Sequence, residues 1–183
     1  TLSVKEEGAF DCPVLGANVG DACDDGNPNT FGDVVTADCE CLGVAAGSDT
    51  CADAIALDCN ASPVTFSSDG STAVAPSGCT IGANGLWFSF LGTGADITII
   101  STANFDHKMS MQTGTCGALD WIACKDGSTG VETYTVPSSV ANQMYYVYVA
   151  HYSTSINATG NITISLDCAV VPNCTAPTLT LVE

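Results

Sequence analysis

Between residues 63 and 167 the chain repeats one texture, short runs rich in β-branched and aromatic side chains broken by Gly, Asp, Asn, Ser and Pro. Short strands joined by tight turns produce that texture. It predicts strands over 63–66 (PVTF), 71–75 (STAVA), 85–91 (GLWFSFL), 95–102 (ADITIIST), 108–114 (KMSMQTG), 119–124 (LDWIAC), 131–136 (VETYTV), 143–150 (QMYYVYVA) and 160–167 (GNITISLD). Side chains alternate across a strand, so Leu86, Phe88 and Phe90 share one face, as do Ile97 with Ile99, Met109 with Met111, and Ile162 and Ile164 with Leu166. Thr163 and Ser165 then face water. Only 51–57 (CADAIAL) carries a weak helical period. Many short antiparallel strands with one apolar face each predict an all-β fold, a two-sheet, jelly-roll-like β-sandwich over residues 51–169.

Residues 12–43, CPVLGANVGDACDDGNPNTFGDVVTADCECLG, follow another rule. They are too few for an ordinary core, and units of that size need staples to offset chain entropy. Cys12, Cys23, Cys39 and Cys41 supply two, which defines a small disulfide-stapled Cys-rich module over 11–44. Cys39 and Cys41 flank one residue and point the same way if extended, so each is expected to bond one of Cys12 and Cys23. Spacing does not decide which. Residues 45–50 (AAGSDT) read as a linker. Residues 1–10 form an N-terminal arm, either a leader or a strand offered to a neighbouring sheet edge, and 170–183 a linker or the start of a following domain. No signal peptide stands at Thr1, so the chain reads as an excised piece of a longer one.

The chain has 11 cysteines. In acidic, polar surroundings that number favours disulfides in an oxidising compartment, hence a secreted, extracellular or cell-surface protein. Cys116 and Cys124 are expected to close a hairpin. Cys51, Cys59, Cys79 and Cys168 remain for two more bridges, one of them clamping the chain ends through Cys168. Cys174 is the odd thiol.

Charge narrows the partners. Three Lys+Arg against 20 Asp+Glu give a formal net charge of -17. Binding a phosphate backbone needs cationic side chains, so nucleic acid is excluded as a partner. No apolar run reaches the roughly 18 residues of a membrane span, so membrane insertion is not expected. Divalent cations are the natural counterions.

The cation reading has a specific seat. Counted from Asp25, oxygens of Asp25, Asn27, Asn29 and Asp33 fall at the first, third, fifth and ninth positions of a looped calcium site, with Asp24 or Asp38 to add a carboxylate. Thr30 and Thr36 stand where an EF-hand has glycine and a bidentate glutamate. The competing reading is a run of Asx-turns, which the same residue types build. Asp106 and Asp126 mark turns and could form a second cation site or simply stay solvated. His107 beside Asp106 and Ser110 does not make a triad, because neighbours on a strand point to alternate faces. His151 has no partner set. Cys39 and Cys41 lack zinc spacing. No phosphate loop or nucleophile elbow occurs, and the chain is not expected to be an enzyme.

Trp87, Trp121, Tyr145, Tyr146, Tyr148 and Tyr152 could stack on sugars, but most lie within strands; Trp121 and Tyr152, near turns, are the expected glycan contacts. Glycosylation sequons fall at Asn60, Asn157, Asn161 and Asn173.

GDACDDGNPNT followed by DCECLG resembles the small cysteine-rich modules of very large secreted and cell-surface proteins of Bacteroidota. CADAIALDC through GLWFSFLGTGADITI, FDHKMSMQTGTCGALDWIAC, YYVYVA and ITISLDC resembles the β-sandwich repeats of the same proteins, related to bacterial pre-peptidase C-terminal domains. The common repeat has threonine at His107 and often a second aspartate at Gly127. The resemblance implies export and a role in adhesion, gliding or surface appendages, or as an accessory domain of a secreted hydrolase. Two functions are therefore expected. One is a structural or adhesive module that assembles with other copies or neighbouring domains, into a filament or appendage. The alternative is a carbohydrate-binding accessory domain of a secreted hydrolase.

Overall fold

The computed structural model describes residues 10–127, 130–156 and 158–170. Most of both expected terminal arms, Cys174, and the sequon residues Asn157 and Asn173 lie outside the described residues.

Among the described residues eleven strands follow in order: β1 Thr30–Val35, β2 Cys41–Ala45, β3 Ile55–Ala56, β4 Val64–Ser67, β5 Leu86–Leu91, β6 Ile97–Ala103, β7 His107–Thr115, β8 Ala118–Lys125, β9 Val131–Val136, β10 Met144–His151 and β11 Asn161–Cys168. β1 and β2 form an antiparallel pair by themselves. The others make a five-stranded sheet, ordered β3-β5-β10-β7-β8, and a four-stranded sheet, ordered β4-β11-β6-β9. All their pairings are antiparallel except the short β3–β5 contact. Among the described residues no helix is long and apolar enough to cross a membrane.

The alternation of the sequence is what closes the two sheets on each other. Leu86, Phe88, Phe90, Met109, Met111, Val147 and Val149 turn inward from the five-stranded sheet and meet Ile97, Ile99, Val136, Ile162, Ile164 and Leu166 from the four-stranded one. Each such side chain taken fully out of water contributes about 1.5–3 kcal/mol. The chain is thus an all-β, disulfide-stapled sandwich with a jelly-roll-like arrangement.

The sandwich has a third layer on one side. Trp87, Tyr148 and Ala150, on the outer face of the five-stranded sheet, are buried with Ala73 and Ile81. The segment 71–75 is therefore not the predicted strand. It runs as a loop across that face, because Ala73 and Ala75 have an apolar surface there to cover. Tyr148 is anchored in this layer: its hydroxyl accepts from the Gly85 amide at 2.9 Å and donates to the Gly82 carbonyl at 3.1 Å. Burial, the largest influence, pushes the phenol up to about 12. The weak helical period at 51–57 also yields to pairing, with a turn at Cys51 and Ile55 and Ala56 joined to β5.

Among the described residues five disulfides staple these parts: Cys12–Cys39, Cys23–Cys41, Cys51–Cys116, Cys59–Cys168 and Cys79–Cys124. The expected hairpin closure between Cys116 and Cys124 does not form. Cys116 reaches instead to the start of the sandwich, and Cys124 to the loop that covers the outer face. Residues 46–48, expected as a linker, are bonded to the sandwich: Gly47 donates to the Ser67 carbonyl at 3.0 Å, and the Ser48 carbonyl accepts from Trp87 at 2.9 Å.

Candidate functional site

The acidic loop lies between the two staples of the Cys-rich module. Its shape comes from short polar side chains capping their own backbone. Asp24 accepts from the Gly26 amide at 2.8 Å, Asp25 from the Asn27 amide at 2.8 Å, and Asn27 from the Asn29 amide at 3.1 Å, a run of Asx-turns. The Thr30 hydroxyl adds a bond to Asp25 at 2.9 Å, and the Gly43 amide another at 3.3 Å. The Asn27 amide, with Thr30 and Gly43, holds the Asp25 carboxyl below the ordinary 3.8. Asp33 comes from a different element. A β-bulge in β1 follows Phe31, and Gly32 there takes a φ of 64°, which favours glycine. From that bulge Asp33 accepts the Asp25 amide at 2.9 Å.

The Asx-turn reading is therefore realised, in the same residues that the cation reading uses. The Asx-turns exist, and they bring Asp24, Asp25 and Asp33 together, with one carboxylate oxygen from each within 4.8 Å of the others. Each carboxylate has about four lone-pair directions, so accepting a backbone amide leaves room for a cation. Asp33 Oδ1 is buried without a hydrogen-bond partner, which fits a cation seat. Asn27 Oδ1, which accepts from the Asn29 amide, likewise keeps a second lone pair. This surface acidic cluster can coordinate a metal.

The other candidates are dispersed. Asp126 pairs with Lys108 at 3.0 Å, and together with Asp106 it borders a cleft lined also by Asn104, Phe105 and Gly127. Among the described residues these two carboxylates do not join a third ligand group. His107 is fully buried and its Nε2 lies 3.0 Å from Ser101 Oγ, not beside Ser110, whose hydroxyl accepts from Gln112. Burial, the largest influence on His107, lowers its basicity against the opposing pull of Glu132. His151 accepts from the Ser153 amide at 3.1 Å. Cys39 and Cys41 are both in disulfides, so neither is a zinc thiolate.

Trp121 and Tyr152 are both part-exposed, at 48% and 38%, but do not share a site. Trp121 pairs with Gln112, which pairs with Tyr146. Tyr152 lies six residues after Tyr146, just past the end of β10, roughly 20 Å along at the rise of a strand. Sequence reasoning missed Gln112, which is 1% exposed on the outer face of the five-stranded sheet. The available signal was Trp87, Tyr148 and Ala150 on that same face, since strands apolar on both sides are covered on both sides.

No family model matches the chain, and no curated protein does. Among solved structures it is similar to the pre-peptidase C-terminal domain of collagenase from Bacillus anthracis, a distant likeness over part of the chain. The two are 14% identical with a TM-score of 0.41, and the match covers 62% of this chain and 91% of that one.

Proposed function

We propose that the chain is a non-catalytic module of a secreted or cell-surface protein, carried beside other domains or copies of itself, with a Cys-rich head stiffened by Ca²⁺. The observation that carries this reading is the meeting of Asp24, Asp25 and Asp33 inside a loop closed by two disulfides. Three like charges so close repel one another, and a divalent cation turns that repulsion into cross-linking. Carboxylate and amide oxygens suit a hard ion, and a loop of unequal turns suits the flexible, many-coordinate geometry of calcium better than the strict octahedron of magnesium. Asp24, Asp25 and Asp33 would hold the ion, with Asn27 and Asn29 as the neighbouring oxygen donors. Adhesion or filament assembly is the task such a stiff module would serve.

Calorimetric titration of the full chain with Ca²⁺ tests this. Heat in the parent and none in Asp25→Ala or Asp33→Ala is the expected result; a silent parent would defeat the reading. The carbohydrate-binding accessory role is favoured by a separate observation, the exposed Trp121 ring on the outer face of the five-stranded sheet.

A further inference from the structure

The loop that covers the outer face leaves a cleft of about 290 Å³ beside the β7–β8 hairpin, lined by Pro76, Ser77, Trp87, Gln112, Ala118 and Leu119 among others. It is at the small end of ligand-sized cavities. Gln112 on its lining is almost wholly buried, and its amide is only half satisfied: Nε2 donates to Ser110 Oγ at 2.6 Å, and Oε1 has no partner. Turning the amide about would leave the NH₂ unpaired instead. A buried polar atom left in that state costs about 1–3 kcal/mol, so a group that completes it is favoured.

We propose that this cleft binds a neutral sugar ring, with Gln112 bonding a hydroxyl and the indoles of Trp87 and Trp121 meeting the ring. The ligand class follows from what surrounds the amide. Among the described residues no charged side chain lines the cleft, and the net charge of -17 repels anions. A hydroxyl both donates and accepts, so it satisfies Gln112 in either orientation. The walls are aromatic and aliphatic, as the C–H faces of a sugar require. Trp121 pairs directly with Gln112 and therefore shares its face, next to the lining loop. Its ring is set against Gly78, where the backbone has φ +94° and a Cβ would strike the indole. The Cys79–Cys124 disulfide pins that loop to β8, so the site is formed before a ligand arrives.

This rests on the accessory-domain reading and is independent of the calcium loop. The test is a titration of the isotope-labelled full chain with methyl β-D-glucopyranoside, methyl α-D-mannopyranoside and N-acetyl-D-glucosamine, followed by the NMR signals of the Gln112 amide and the Trp87 and Trp121 indoles. Saturable shifts of these groups with at least one sugar are expected. Gln112→Leu, which removes the unpaired amide, should keep the thermal midpoint and weaken binding about tenfold or more. Trp121→Ala, at a half-exposed position, supplies a second variant with a similar loss. Saturable binding that moves other residues and ignores both substitutions would overturn this cleft while leaving the accessory role intact. No saturable response to any of the three sugars would overturn the cleft and remove the support for the sugar-binding role together.

Discussion

The head and the sandwich solve the same entropy problem with different means. Among the described residues of the head, only Cys12 and Val35 are buried apolar side chains, and its two disulfides span 27 and 18 residues directly around the acidic loop. The sandwich has a continuous two-sheet core, which its disulfides touch only at Cys168. Cys59–Cys168 ties the ends of the domain, while Cys51–Cys116 and Cys79–Cys124 hold segments that lie over the outer face. Covalent closure thus replaces burial in one region and positions loops in the other. It follows that the two regions should respond to opposite perturbations.

The largest effect should come from the core. Phe88 is fully buried and contacts the ring of Phe66, with centroids 6.4 Å apart. Phe88→Ala should cost about 3–5 kcal/mol, read as a lower urea midpoint. The disulfides should not rescue it, because they do not fill the cavity. Removing a head staple comes next. Cys23→Ser with Cys41→Ser lifts a constraint worth about 3 kcal/mol for a loop of this length. Hydrogen exchange should show the amides of 20–46 losing protection while β5, β7 and β10 keep theirs. Collapse of both together would show that the bonds of residues 46–48 to the sandwich make the two regions one cooperative unit, and the contrast would fail.

A smaller effect separates the regions by pH. Burial lowers the basicity of His107, so the folded sandwich holds it neutral while the unfolded chain protonates it below its ordinary 6.5. Stability is complete above pH 6.5 and is lost as the pH falls from there toward the folded value. Glu132 and Asp106 oppose the shift and limit its size. In His107→Gln the slope of urea stability between pH 6.5 and 5 should flatten, while the head shows no change in that window.

How far the sequence discloses these regions follows from which forces are local. The period of two in 85–91, 143–150 and 160–167 is a local record of a core face, and β5, β10 and β11 lie there. The outer layer is not local. Ala73 is buried because Trp87 and Tyr148 stand behind it, and a small apolar run that covers a sheet looks like one that joins it. Cys116 and Cys124 flank a hairpin in sequence, but their partners were chosen by loops that cross it. In the loop, spacing named Asp25 and Asp33 as neighbours, and the bulge after Phe31 that brings Asp33 to the Asp25 amide appears only when β1 meets β2.

Acid titration of the head offers the finest separation. Asp25 is half-buried in a surface loop, so water still screens its hydrogen bonds and a modest effect is expected. Its carboxyl is nonetheless held below 3.8, chiefly by the Asn27 amide, with Thr30 and Gly43 adding to it. A depressed acid stabilises the fold above its unfolded value, and that contribution disappears as the pH falls through the folded one. With chelator present to exclude divalent ions, exchange protection in 24–33 should therefore hold at pH 5 and decline below 3.8. Asp25→Asn should lower protection at pH 5 and shrink the decline, because an amide can still accept from Asn27 but no longer titrates. His107→Gln should leave this acid limb untouched. An acid decline unchanged in Asp25→Asn would take the titration away from Asp25, and with it the centre of the proposed cation seat.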